Sequence, residues 1–264
     1  MTGPSGRPGD PPAPGTVESL YPFLYSGGSA GSQGPASTPL LDSVLEQIRA
    51  STVAKTGEIL ELRRVVRDRD GDRLLACARQ MAGQFLAGGR LLAFGNGGSA
   101  TDAQQLVTMF LNPASTAVPA GTADPGEPRA LPAIGLASDP SVLTALSNDV
   151  GVDVIFARQL AAFGRATDIA VGLSTSGNSE NLLRAFDEAS RRGMLSIGIA
   201  GYDGGRMAEI ATLDYLFVAP SSSVHRIQEA QTTIYDVLWE LCQAELTGAE
   251  LSPGARRGPP SARW

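Results

Sequence analysis

Residues 169–186 read IAVGLSTSGNSENLLRAF. The opening five residues are apolar or glycine without alternation, the pattern of a strand buried on both faces of a parallel sheet. A run of small hydroxylated residues follows, and then Leu182, Leu183 and Phe186 recur at helical spacing. The stretch LLAFGNGGSATDAQQL at 91–106 repeats this strand–turn–helix plan. A junction of that shape aims backbone N–H groups at one point, where the helix dipole favours negative charge. Two such junctions in one α/β chain point to a small phosphorylated ligand held between strand ends.

The second loop carries the stronger signal. Ser174, Thr175, Ser176 and Ser179 put four hydroxyls beside Gly177, which permits a tight turn. A generic junction needs one capping residue, so phosphate binding is the expected role and a merely well-capped turn the plainer alternative. In the first loop Gly95, Gly97 and Gly98 let the backbone approach a ligand, and Asn96 and Ser99 offer polar contacts. Alone, that loop is weak evidence.

Outward from these loops the pattern is regular. Leu41, Val44, Leu45 and Ile48 open a first helix-like stretch, and a second runs from about Asp72 to Leu86 before Gly88-Gly89. Strands are expected at 90–94, 131–136, 168–173, 195–200 and 214–218. Helices are expected at 99–111, 140–147, 152–163, 178–192, 204–210 and 224–246. The alternation predicts a doubly wound, flavodoxin-like parallel sheet of five strands, preceded by two extra helices. The folded domain spans 41–248. Residues 1–40 and 249–264, rich in Gly and Pro, read as disordered tails, and 113–130 as a mobile loop. The aromatic segment 20–25 inside the first tail is a candidate contact for the domain or for a protein partner.

Composition narrows the function. A net charge of −6 argues against a nucleic-acid surface. No run approaches the ~20 apolar residues of a membrane span. The N-terminus has no apolar signal core, so a cytoplasmic protein is expected. The two cysteines, Cys77 and Cys242, sit in apolar helical patterns and read as buried free thiols.

Taken together, the loops resemble the sugar isomerase (SIS) domain family. More narrowly, the chain resembles its sedoheptulose 7-phosphate (phosphoheptose) isomerase branch, which includes a bacterial replication-initiator-associating protein. The resemblance rests on GNGGSATDAQ at 95–104, LPAI at 131–134, LTALSND at 143–149, STSGNS at 174–179, GYDGGRMAEIA at 201–211 and RIQE at 226–229. It implies sugar-phosphate contacts at Asn96, Gly97, Gly98 and Ser99, at Asn148 and Asp149, at Ser174, Thr175, Ser176 and Ser179, and at Gln228. It also implies a homo-oligomer, expected to be a tetramer, with His225 close to a neighbouring subunit.

The same resemblance implies a metal and acid–base set that this chain lacks. Where the isomerases carry histidine and, one turn later, glutamate after the first loop, this chain has Gln105 and Met109. Where they carry two histidines on the last helix, it has Gln231 and Asp236. Isomerisation needs a base and an acid, and a zinc site wants several imidazole or thiolate ligands. One histidine in the chain cannot supply them, so the family's zinc site is expected to be lost. Glu229 and His225 are weak catalytic candidates, with Asp102 and Asp236 behind them. The first reading is therefore a sugar-phosphate-binding protein with altered or no catalysis. The second is a true sedoheptulose 7-phosphate isomerase with relocated catalytic groups, and a weaker third is a structural subunit with a vestigial pocket.

Overall fold

The computed structural model describes residues 38–112 and 128–248. The expectations for the two tails, for segment 20–25 and for most of the 113–130 loop lie outside these residues. The chain divides into two compact units inside its first helix, after Val53, and the unit from Ala54 onward holds the sheet.

In order, the elements are α1 (Thr38–Leu86), β1 (Leu91–Gly95), α2 (Gly98–Leu111), β2 (Ala133–Gly135), α3 (Pro140–Asp149), α4 (Ile155–Phe163), β3 (Ile169–Leu173), α5 (Glu180–Arg191), β4 (Leu195–Gly201), β5 (Tyr215–Ala219) and α6 (Val224–Thr247). The helix expected at 152–163 opens as a 3-10 turn at Val152–Val154 and continues as α4, and a 3-10 turn at Gly205–Ala208 stands where the sequence predicts a short helix at 204–210. The five strands are all parallel, in the order β2-β1-β3-β4-β5.

Both sheet faces are covered, as continuous apolar strands require. On one face Leu91, Ala93, Val171, Ile197 and Ile199 pack with residues of α1, α2 and α6, among them Met81, Phe110 and Tyr235. On the other, Leu92, Phe94 and Ala170 pack with Phe156 and Leu160 of α4 and Phe186 of α5. Cys77 and Cys242 are buried free thiols. No helix among the described residues is long and apolar enough to cross a membrane.

One expectation is corrected. The two leading helices are a single helix, Thr38–Leu86. The polar run 67–73 does not break it, because Asp70, 1% exposed, turns inward and accepts hydrogen bonds from Arg69 and Arg73. Val66 and Leu74, on either side of this run, are buried in the core and hold the helix in place. Edge strand β2 is shorter than expected, and Pro132 just ahead of it has no N–H for a ladder.

Candidate functional site

Parallel strands deliver their following loops to one edge of the sheet. Gly95 of β1 pairs with Leu173 of β3, so the two glycine- and serine-rich loops leave the sheet side by side. The first loop is joined directly to the helix that follows the second. The Asn96 and Asn181 side-chain amides bond to each other in both directions, each at 2.9 Å.

In the second loop the hydroxyls divide their labour. Ser174, 4% exposed, accepts the Gly177 N–H at 3.1 Å and lies 3.4 Å from the Ser179 hydroxyl. Ser176 accepts the Asn178 N–H at 3.2 Å. Thr175, Ser176 and Ser179 are half-buried. Ser179 is the N-cap residue of α5, yet its side chain caps no N–H of the helix. The first-turn donors of α5 are therefore without a side-chain cap behind a cluster of hydroxyls. Gly177 has φ +68°, and a Cβ there would lie 1.9 Å from the Gly204 carbonyl oxygen. The loop is thus braced against the β4–β5 connection, where the Met207 N–H bonds the Gly177 carbonyl at 3.0 Å.

Helix α6 closes the other side. A Cβ on Gly98 would stand 2.5 Å from Gln228 Nε2, so the end of that side chain lies against the first loop in the space a Cβ would take. Gln228 also donates to Asp102 at 3.3 Å. Burial pushes the Asp102 carboxyl above its usual range, against the pull of that hydrogen bond. Gln231, fully buried, donates to the carbonyls of Ser174 at 3.1 Å and Ile199 at 3.2 Å, and ties the ends of β3 and β4 to α6. In the sequence Gln231 stands out only as a missing histidine. Its neighbour relation to a β-strand end has no local signal there.

The remaining expected residues sit apart from these contacts. Asn148 and Asp149 are exposed at the end of α3 and bond to each other at 2.9 Å. His225 is exposed in the first turn of α6. Glu229, also exposed, is paired with Arg226, which reaches Glu58 as well at 3.5 Å. A cleft of about 700 Å³ opens beside the second loop, lined by Ser176, Asn178, Tyr202, Asp203, Pro220, Ser221 and Ser222.

The donor set does not fit the zinc that the sequence resemblance implies. The positions that would supply imidazole and carboxylate carry Gln105, Met109, Gln231 and Asp236, and Gln231 is committed to two backbone carbonyls. Among the described residues no three His, Cys, Asp or Glu side chains gather as a metal site would need.

A five-stranded parallel sheet with a hydroxyl-rich loop at a helix start defines an α/β fold with an anion-favouring junction at its strand ends. The SIS domain model matches residues 56–201. The chain belongs to the SIS domain family. Its relatives place it in the phosphoheptose isomerase branch. It is 44% identical over 173 residues to the phosphoheptose isomerase of Pelodictyon phaeoclathratiforme, covering 66% of this chain and 78% of that protein. It is 38% identical over 207 residues to that of Geobacter sulfurreducens, covering 78% and 99%. Among solved structures it matches phosphoheptose isomerase GmhA from Neisseria gonorrhoeae with a TM-score of 0.65 and 31% identity, over 75% of this chain and 99% of that one.

Proposed function

We propose that the chain binds a phosphorylated sugar at the C-terminal ends of β1 and β3, and that the reaction belonging to this pocket is the aldose–ketose isomerisation of sedoheptulose 7-phosphate. One observation carries the binding. Ser179 leaves the start of α5 without a side-chain cap while the Ser174 hydroxyl stands 3.4 Å from its own, an arrangement that an anion completes. The reaction rests on the relatives, which are named phosphoheptose isomerases. It is the second of the readings drawn from the sequence, and the comparisons favour it over the first. Its proton transfers must run on groups this chain has. Asp102, half-buried and bonded to Gln228, fits that task better than Glu229, whose carboxylate is held by Arg226.

A second reading, ligand binding without turnover, is favoured by one specific observation: Gln105 and Met109 stand where the branch carries acid–base groups. Methionine neither takes nor gives a proton. Incubation with sedoheptulose 7-phosphate in heavy water separates the two. Protein-dependent exchange at the carbon beside the carbonyl supports isomerisation, and binding without exchange supports the second reading.

Self-association belongs to the same proposal. On α1 the side chains of Leu60 and Val65 are 47% and 38% exposed, and a homotetramer would cover such apolar groups. His225, at the exposed start of α6, would then lie near a neighbouring copy.

A further inference from the structure

Every residue of the phosphate loop 174–179 is neutral, so the loop itself offers a phosphate no counter-charge. The β4–β5 connection lies against this loop, backbone to backbone. A Cβ on Gly205 would stand 2.4 Å from the Ser176 carbonyl oxygen. The Arg206 N–H bonds the Asn178 side-chain oxygen at 3.0 Å, and the Met207 N–H bonds the Gly177 carbonyl at 3.0 Å. Arg206 is thereby pinned beside the loop from its own backbone and from both neighbours.

Its guanidinium stands at the start of α5, where it pairs at 2.7 Å with Glu180, the first residue of that helix. Arg184 meets the same carboxylate at 3.1 Å, and the bonds from Arg206 and Arg184 hold Glu180 below the usual carboxylate range. The helix dipole favours an acid in this first turn, and the same field favours a phosphate there. Two anions at one helix end repel, so the cation between them decides which is stabilised. The Arg206 and Glu180 side chains are 53% and 44% exposed, and an ion pair so open to water holds weakly. Arg184 has a second carboxylate, Asp153, at 3.1 Å. Among the described residues Arg206 has Glu180 alone.

We propose that Arg206 is the counter-ion of the bound phosphate, exchanging the Glu180 carboxylate for the phosphate oxygens when the ligand binds. A planar guanidinium suits either anion, and the phosphate carries the greater charge. The assignment rests on the proposed phosphate end lying at Ser174–Ser179, and it leaves the sugar on the side of the first loop and Gln228.

Calorimetric titration of inorganic phosphate and of sedoheptulose 7-phosphate into the full chain and three variants tests it. Arg206→Gln should weaken both ligands by a similar factor, roughly tenfold. Glu180→Gln should tighten both, because it frees the guanidinium and removes a like charge. In the double variant that gain should shrink, since no guanidinium is left to free. Affinities unchanged in Arg206→Gln, or a gain from Glu180→Gln that is undiminished in the double variant, overturn the Arg206 assignment alone, provided the parent binds both ligands. A parent that binds neither ligand overturns the phosphate site itself, and the role of Arg206 with it.

Discussion

Asn96 and Asn181 form a closed amide pair that couples the first loop to the helix behind the second, with both N–H···O distances at 2.9 Å. Asn181 is 7% exposed, so it has little water to fall back on. Asn96→Ala should therefore destabilise the fold by about 1–3 kcal/mol, the cost of leaving a buried amide unpaired. Urea denaturation measures this. A change near zero would show that the pair is ornamental and that Asn96 is free for a ligand.

Gly177 is the tightest point of the second loop. Gly177→Ala must either move the Gly204 carbonyl, 1.9 Å from the new Cβ, or distort a backbone at φ +68°. A loss of at least about 2 kcal/mol is expected, with weakened phosphate binding. Alanine tolerated with full affinity would mean that the brace between the two loops is absent in solution.

Asp236 offers a pH test. Burial raises its carboxyl above the usual range, Glu240 adds to this, and Arg63 opposes it. A carboxyl raised in the folded state destabilises at pH values above its folded pKa and is neutral below the unfolded value near ~3.9. Asp236→Asn should thus raise the melting temperature at pH 7 and leave it unchanged near pH 3. Stabilisation that persists at low pH would point to packing rather than charge.

Size exclusion with light scattering tests the assembly. A mass near four times that of the 27.4 kDa chain is expected. Replacing Leu60 and Val65 by glutamate should shift it towards smaller species. A monomer at micromolar concentration contradicts the tetramer and leaves the exposed apolar groups of α1 to another partner.

Much of this architecture is legible in the chain. β1 and β3 are continuous apolar runs, and β4 is one but for Ser196, whose buried hydroxyl is bonded to the Thr212 carbonyl and Asp214; the sequence places each within a residue of its observed ends, because a strand buried on both faces is mostly apolar. Helix α1 reads as two helices because Asp70 is an inward-facing charge whose partners are its own neighbours, and periodicity counts such a residue as solvent-facing. The phosphate loop is readable from its clustered hydroxyls. Its supports are not. Asn181 and Gln231 act through contacts that chain folding creates, across 85 residues in the case of Asn96 and Asn181.

The central claim is a phosphorylated sugar anchored at Ser174–Ser179, and Ser176 tests it most directly. Calorimetric titration of sedoheptulose 7-phosphate into the parent chain and Ser176→Ala should show binding in the first and a loss of about tenfold to a hundredfold in the second, the worth of a hydrogen bond to a charged group. Equal affinity in the two, or equally tight binding of unphosphorylated sedoheptulose by the parent, would contradict it.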